Sequence, residues 1–269
     1  MAAGAPIRIA VQLAPQHARY EVIRDVVRRV EDLGTDVVFN WDHFFPLSGD
    51  RDGLHYESWT MLAAIAESTS RIEFGPLVNC NSYRNPDLQA DMARTVDHIS
   101  AKGGTGRFIF GTGSGWFERD YAEYGYDFGT AGSRLDALAE DLPRIRARWE
   151  KLNPAPTRRI PILIGGGGER KTLRIVAEHA DIWHSFSDPA TLERKLAILE
   201  EHCAVVGRDR AEIEISTGVS VRGMGSLDPA VLERQYALGV RLFEAAASGP
   251  DYDLAPLTQL LAWRDSFGG

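Results

Sequence analysis

The first residues that could do chemistry stand directly after an apolar run at 36–40, where the chain continues with Trp41, Asp42 and His43. An imidazole donates or accepts a proton near neutral pH, and a neighbouring carboxylate can orient it or hydrogen-bond the edge of a bound cofactor. A simpler interpretation is also open, in which Asp42 caps a loop and His43 is merely exposed. His43 and Asp42 are therefore candidate catalytic residues whose surroundings must decide between the two interpretations.

Four consecutive glycines, Gly165, Gly166, Gly167 and Gly168, end the apolar run at 160–165 and precede a helical pattern. Backbone amides at the start of a helix, with no side chains in the way, form a site for an anion such as a phosphate. A flexible turn is the alternative, although four glycines exceed what a turn needs. The stretch reads GGGGERKT and lacks the lysine of a nucleotide-binding P-loop, which excludes that motif.

Polar and aromatic residues also stand where other apolar runs end. They are Asn79 after the run at 71–78, Gly113 and Ser114 at the end of 107–113, and Trp183 and His184 within 180–186. Turn formation or ordinary packing explains each of them singly. Together with Trp41 and the glycine run, they indicate a flat aromatic cofactor that carries an anionic tail.

The elements that must position these residues alternate between apolar runs and helical patterns. The predicted strands cover 7–13, 36–40, 71–78, 107–113, 160–165, 180–186, 212–221 and 240–246. Eight strand–helix units in about 260 residues predict a (β/α)8 TIM barrel, in which functional residues gather at the carboxyl ends of the strands. An open doubly wound sheet is the alternative, but no GxGxxG motif opens the first unit. Without a linker or repeat, a single domain over 1–269 is predicted.

Composition narrows the class of partner. The net charge is -8 and the pI is near 5.4, which disfavours nucleic acid and anionic membranes as partners. No signal peptide and no apolar run of roughly 20 residues is visible, so a cytoplasmic location is expected. Cys80 and Cys203 form no CxxC pattern, and the first strand lacks paired histidines, so no metal site is predicted.

Four motifs resemble the bacterial luciferase-like monooxygenase superfamily. They are WDHFFP after the second predicted strand, YRNP after the third, GTGSGWFERDYAEYGYDFGTAGSRLDAL after the fourth, and PILIGGGGERKTLRIVAEHADIWH across the fifth and sixth. The resemblance covers about 7–221 and is greatest to the branch of coenzyme F420-dependent oxidoreductases, whose cofactor is an 8-hydroxy-5-deazaflavin. The Asp-His pair favours that branch over the enzymes that use flavin mononucleotide (FMN).

The resemblance implies a role for each matching position. Asp42 and His43 would lie beside the deazaflavin ring, with His43 moving a proton. The remaining predicted cofactor contacts are Leu77, Val78 and Asn79 in a stretch that often carries a non-prolyl cis peptide, Gly113 and Ser114 in the turn after the fourth strand, the four glycines around the phosphate-bearing tail, and Trp41 and His184 at the rim.

These implications predict an oxidoreductase that transfers hydride between coenzyme F420 and a small organic substrate. Two departures from the family pattern bear on the substrate: Ser114 stands where the sugar-phosphate dehydrogenases carry a glutamate, and the segment at 151–159 is short. An FMN-dependent monooxygenase and a non-catalytic flavin carrier or sensor stay open as alternatives. Proteins of this family often form homodimers, and the same is expected here.

Overall fold

The computed structural model describes residues 6–220 and 225–267. It contains a parallel sheet whose strands are β1 Arg8–Ala14, β2 Val37–Asn40, β3 Glu73–Pro76, β4 Asn79–Cys80, β5 Phe110–Gly113, β6 Ile162–Gly165, β7 Ile182–Ser185, β8 Glu214–Ser220 and β9 Val240–Ser248. The strand order is β3-β2-β1-β9-β8-β7-β6-β5-β4. The seventh predicted strand ends at Val221, which lies outside the described residues.

Helices connect successive strands. They are α1 Tyr20–Asp32, α2 Ser58–Ser68, α3 Pro86–Ala101, α4 Glu118–Tyr124, α5 Ala131–Lys151, α6 Thr172–His179, α7 Pro189–Val206, α8 Pro229–Ala237 and α9 Ala255–Phe267. Three of them begin in the same way, with proline in the first turn and the side chain of Asn85, Asp188 or Asp228 accepting from free backbone amides. Proline lacks the N–H that would have no partner there, so these dipeptides mark helix starts.

The third predicted strand, at 71–78, is divided into two. A cis peptide bond joins Leu77 to Val78 between β3 and β4, as the family resemblance implies. β3 pairs with β2, β4 pairs with β5, and a bridge between Phe74 and Phe108 brings the two ends of the sheet together. The nine strands therefore occupy eight positions around a nearly closed barrel, and the predicted (β/α)8 fold is confirmed.

Apolar side chains fill the middle of the barrel. This interior layer consists of Ala10, Val37, Phe39, Leu77, Ile109, Leu163, Ile182 and Leu242. At the amino ends of the strands, Arg8 pairs with Glu73 and Glu214. Because side chains two apart on a strand share a face, Gln12 and His184 follow Ala10 and Ile182 into the interior at the carboxyl ends.

Among the described helices, none combines the length and apolar character that crossing a membrane would require. The single-domain prediction for 1–269 extends beyond the described residues and stays a prediction.

Candidate active site

A cavity of about 670 Å³ opens at the carboxyl ends of the barrel strands. This volume is in the range of sites for small molecules and cofactors. Most of the sequence-predicted site residues line it: Trp41, Asp42, His43, Leu77, Val78, Gly113, Ser114, Gly165, Gly166, Gly167 and His184. The strand ends therefore converge on one space, as barrel geometry predicts.

His43 is fixed by a carboxylate that lies far away in the sequence. Its Nδ1 lies 2.7 Å from Oδ2 of Asp120, a fully buried residue of α4. Asp120 also accepts from the Tyr83 hydroxyl at 3.0 Å and from the Phe44 backbone amide at 3.2 Å. When Nδ1 donates to this carboxylate, Nε2 is the ring nitrogen available to a molecule in the cavity.

Orienting His43 was one of two roles expected for Asp42, and the structure does not support that role, because Asp42 binds other groups. Its oxygens accept from Arg84 at 2.6 and 3.0 Å and from the Cys80 backbone amide at 3.0 Å. Arg84 also pairs with Glu57 at 2.7 Å. Asp42 thus joins the end of β2 to the segment around β4, because a paired and hydrogen-bonded geometry is what a buried carboxylate needs.

The Cys80 thiol and the Tyr83 hydroxyl are neutral near pH 7. Burial raises the pKa of the Cys80 thiol to about 11, although the Tyr121 hydroxyl 3.1 Å away favours the thiolate. Burial also raises the pKa of Tyr83, and electrostatic interactions with Cys80 and Asp120 raise it further. Cys80 lines the cavity as a thiol and not as an activated nucleophile.

Aromatic rings surround the imidazole of His43. Trp116 and Phe117 meet it edge-on, with ring centroids 5.6 and 5.4 Å away. Trp41 Nε1 donates to His55 Nε2 at 3.0 Å. Burial, with a smaller contribution from His43, lowers the pKa of His55 to about 4, so His55 is neutral and can accept this bond.

His184 presents an unused nitrogen from beneath the cavity. Its Nδ1 lies 2.8 Å from the Ser216 hydroxyl, and its Nε2 is buried without a hydrogen-bond partner in the described parts of the chain. Burial lowers the pKa of His184 to about 3, which keeps the ring neutral. An unpaired ring nitrogen beside a cavity suits a ligand that brings its own hydrogen-bonding group.

Two of the predicted glycines make room for Val78. A Cβ added at Gly113 or at Gly165 would lie 2.8 Å from a methyl carbon of Val78, closer than side chains pack. The Val78 side chain therefore sits between β5 and β6 and forms part of the cavity wall. The small size of Gly113 and Gly165, more than their flexibility, is what this packing requires.

The glycine run leads from the cavity into a surface cleft of about 540 Å³. Gly167 and Lys195 line both spaces, whereas Gly168 lines only the cleft. The cleft also carries the cationic side chains of Arg170, Lys171 and Arg194. Lys171 pairs with Asp136 and Arg194 with Glu169, while Arg170 and Lys195 have no ion pair over 6–220 and 225–267.

The helix that was expected to start at the glycines begins later in the chain. Residues 169–171 form a turn, and α6 begins only at Thr172. The Gly166 amide donates to the His184 carbonyl at 3.0 Å, while no hydrogen bond within the described residues uses the amides of Gly167 and Gly168. Anion binding at this loop would therefore depend on those two amides and on the cationic side chains, with less help from a helix terminus.

Two sequence-based placements are wrong. The Asn79 side chain is fully buried and bonds to Trp59 and Gln89, which turns it away from the cavity toward α2 and α3. Trp183 is also fully buried, and its Nε1 donates to the Gly166 carbonyl at 2.8 Å. Trp183 thus supports the glycine run from the helix side and does not stand at the rim.

Several residues that line the cavity were not among the predicted site residues. They are Gln12, Leu47, Cys80, Tyr83, Gly115, Trp116, Ser185, Phe186 and Lys195. Gln12 was detectable, because it follows Ala10 at the two-residue spacing of an inward-facing strand side. Lys195 lies in the middle of α7, and nothing in the local sequence points to the cavity.

Comparison with known proteins adds the family. A family model described as luciferase-like monooxygenase matches residues 3–222. An uncharacterised protein of Mycobacterium bovis is 27% identical over 180 residues, which are 61% of this chain and 61% of that protein. The F420-dependent glucose-6-phosphate dehydrogenase of Amycolatopsis mediterranei is 29% identical over 179 residues, which are 58% of this chain and 50% of the dehydrogenase. The chain thus spans about half to three fifths of these curated relatives.

Two solved structures share the fold. An F420-dependent secondary alcohol dehydrogenase in complex with an F420–acetone adduct gives a TM-score of 0.78 at 16% identity, covering 91% of this chain and 95% of that one. The oxygenating constituent of 3,6-diketocamphane monooxygenase from Pseudomonas putida, in complex with FMN, gives 0.70 at 16% identity, covering 96% and 97%. At such identities the likeness shows the fold alone.

Proposed function

Because this chain belongs to the luciferase-like monooxygenase family, we propose that it is a coenzyme F420-dependent oxidoreductase that transfers hydride between the deazaflavin and a small organic substrate. The observation that carries the proposal is the His43–Asp120 pair at the cavity, since it provides a proton-transferring group at a site with room for a cofactor. When bound, the deazaflavin would supply or accept the hydride at its C5 position.

The residues present fit a planar ring with an anionic tail. Val78, seated between Gly113 and Gly165, would form one wall for the ring. Nε2 of His184, which has no hydrogen-bond partner in the part of the chain that the structure describes, would meet the ring's polar edge. Arg170 and Lys195, which lack carboxylate partners among the described residues, would hold the phosphate-bearing tail in the adjoining cleft. Val78 would thus contact the ring face, His184 the ring edge, and the two cationic side chains the tail.

His43 would move the proton that accompanies the hydride. Asp120 holds the ring through Nδ1 and stabilises the imidazolium that forms when Nε2 takes a proton from the substrate. Asp42 would support this proton transfer indirectly, because its ion pair with Arg84 fixes the end of β2 just before His43. Ser114 in place of a glutamate argues against a sugar-phosphate as the substrate.

A fluorescence titration of the apo protein with coenzyme F420 and with FMN tests the proposal. We expect saturable binding of F420 at lower concentration than FMN. Tight FMN binding without F420 binding would instead favour the monooxygenase, a function compatible with the same cationic cleft. Binding of either cofactor without turnover in a screen of carbonyl and enone substrates would favour a carrier or sensor.

The family resemblance also leads us to propose a homodimer in a reducing cytoplasm. Cys80 and Cys203 are both buried free thiols, which suits a reducing compartment. Sedimentation equilibrium of the purified protein tests the dimer, and a mass near the 29.7 kDa of one chain would contradict it.

A further inference from the structure

We propose that the carboxyl group of Glu244 and Nε2 of His184 form an inner subsite, covered by Phe186, that binds the imide or lactam edge of a ring, meaning a carbonyl next to an N–H. The inner subsite is defined by His184, Phe186, Gly218 and Glu244. It rests on the proposed function in one respect, since the pyrimidine part of a deazaflavin carries such an edge.

Glu244 faces the inside of the barrel. Its neighbour Phe243 packs against Trp263 of α9, so strand alternation turns Glu244 inward. The residue is fully buried, and neither carboxyl oxygen has a hydrogen-bond partner in the described chain. Glu214 on the adjacent strand contrasts with it, because Glu214 pairs with Arg8.

The Glu244 carboxyl can both donate and accept a hydrogen bond near neutral pH. Burial raises its pKa to about 8, and the backbone amide of Gln12 nearby opposes this rise. A protonated carboxyl offers an O–H donor beside a carbonyl acceptor, whereas a carboxylate only accepts.

His184 adds a second unpaired group to the inner subsite. Its Nδ1 is engaged by Ser216, while its Nε2 is buried and unpaired within the described residues. The Ser216 hydroxyl can donate to Nδ1 or accept from it, so Nε2 can be either donor or acceptor. The subsite can thus adapt to a carbonyl or an N–H of the ligand.

Phe186 packs beside both groups of the inner subsite. A Cβ at Gly218 would lie 2.5 Å from Cε1 of Phe186 and 2.9 Å from Oε2 of Glu244, so the ring and the carboxyl flank the same point. The Phe186 ring also meets the His184 ring edge-on, with centroids 5.0 Å apart. Phe186 lines the cavity and is 43% exposed, so it covers the inner subsite from the cavity side.

The chemistry of these groups selects the ligand. A buried polar group without a partner costs about 1–3 kcal/mol, and a ligand that pairs with it removes that cost. A neutral carboxyl makes two parallel hydrogen bonds to an adjacent carbonyl and N–H, which a carboxylate ligand or an amine cannot match. The edge can belong to the cofactor ring or to a cyclic substrate such as a pyrimidine.

Titration of F420 into the parent protein and three variants, followed by fluorescence, tests the subsite without measuring turnover. Glu244→Leu should weaken F420 binding about ten- to a hundred-fold, because two hydrogen bonds are lost. Glu244→Gln should stay within about three-fold, since a carboxamide also offers a donor and an acceptor. Glu201→Leu on the exposed surface of α7 is the matched control and should leave binding unchanged.

Calorimetry with succinimide distinguishes the two sources of the edge. Succinimide that binds the apo protein and is displaced by F420 assigns the subsite to the cofactor ring. Succinimide that binds the F420-loaded protein in a Glu244-dependent way assigns it to a substrate. N-Methylsuccinimide lacks the N–H and should bind in neither state.

The inner subsite is overturned if Glu244→Leu binds F420 as tightly as the parent protein and succinimide binds neither state. That result leaves F420 binding, and with it the proposed function, intact. Conversely, binding of FMN alone, weakened by Glu244→Leu, would defeat the proposed function and support the inner subsite.

Discussion

At the scale of single residues, the candidate site depends on a carboxylate and an imidazole that are 77 positions apart in the chain. The sequence suggests Asp42 as the partner of His43 because the two are adjacent. Asp120 takes that place, since α4 follows β5 at the carboxyl end of the barrel and brings the buried Asp120 of its first turn against His43. The local sequence identified His43 as a candidate. Its partner Asp120 could not be identified in this way, because the two meet only through packing between distant parts of the chain.

His43→Ala should lower turnover by at least about 100-fold, because general acid–base catalysis contributes roughly that factor or more. The Kd for F420 should stay within about two-fold, since the tail and most of the ring would contact other residues. Single-turnover kinetics and a fluorescence titration measure the two effects. Steady-state rates equal to those of the parent protein would remove His43 from the proposed mechanism.

Asp120→Asn should lower turnover about 100-fold while leaving F420 affinity unchanged. An amide in place of the carboxylate can present an N–H to Nδ1, which favours the tautomer with the proton on Nε2. Nitrogen NMR of the labelled imidazole measures this tautomer directly, and a purely structural role for Asp120 would not change it.

Tyr83→Phe is the matched control, because it removes another hydrogen bond to the same Asp120 oxygen. We expect a loss of turnover below ten-fold in that variant. An Asp120→Asn protein with normal turnover and an unchanged tautomer would show that the pairing has no catalytic role.

At the scale of elements, the wall of the cavity is built by three neighbouring strand ends. The segment between β3 and β4 carries Val78, and Gly113 on β5 and Gly165 on β6 leave space for its methyl groups. The sequence predicted residues in all three places, but assigned the glycines to the cofactor directly. Their fit to Val78 could not be predicted, because it depends on how three strands align side by side.

Gly165→Ala should weaken F420 binding about ten-fold, since the new methyl group would lie 2.8 Å from Val78 and must push it into the cavity. The double variant Gly165→Ala/Val78→Ala should recover most of the affinity, because the smaller side chain restores the space. Fluorescence titration of the parent protein, both single variants and the double variant completes a double-mutant cycle. Additive losses in the double variant would contradict a steric connection between positions 78 and 165.

At the scale of the whole molecule, the barrel was predictable because apolar runs in the local sequence mark its strands. The apolar runs mark all eight strand positions, although only the structure shows that the third is divided into β3 and β4. Polar groups inside the barrel were not predictable in the same way. Glu244 lies in the run VRLFEAA, where a single charged residue interrupts the apolar pattern. That its carboxyl has no partner among the described residues follows only from the closed barrel.

The buried Glu244 predicts how the stability of the whole protein depends on pH. Folding raises its pKa from the ordinary value of 4.5 to about 8, so between these values the folded protein holds a proton that the unfolded chain has released. Stability from this group is therefore complete below pH 4.5 and is lost as the pH rises through 8, by about 1.4 kcal/mol per pH unit at most.

Urea unfolding from pH 5 to pH 8 measures this dependence. The free energy of unfolding of Glu244→Gln should increase steadily relative to that of the parent protein, because the amide does not titrate. Glu201→Gln on the exposed face of α7 should follow the parent curve. Parallel curves for Glu244→Gln and the parent would mean that the carboxyl is ionised in the folded barrel.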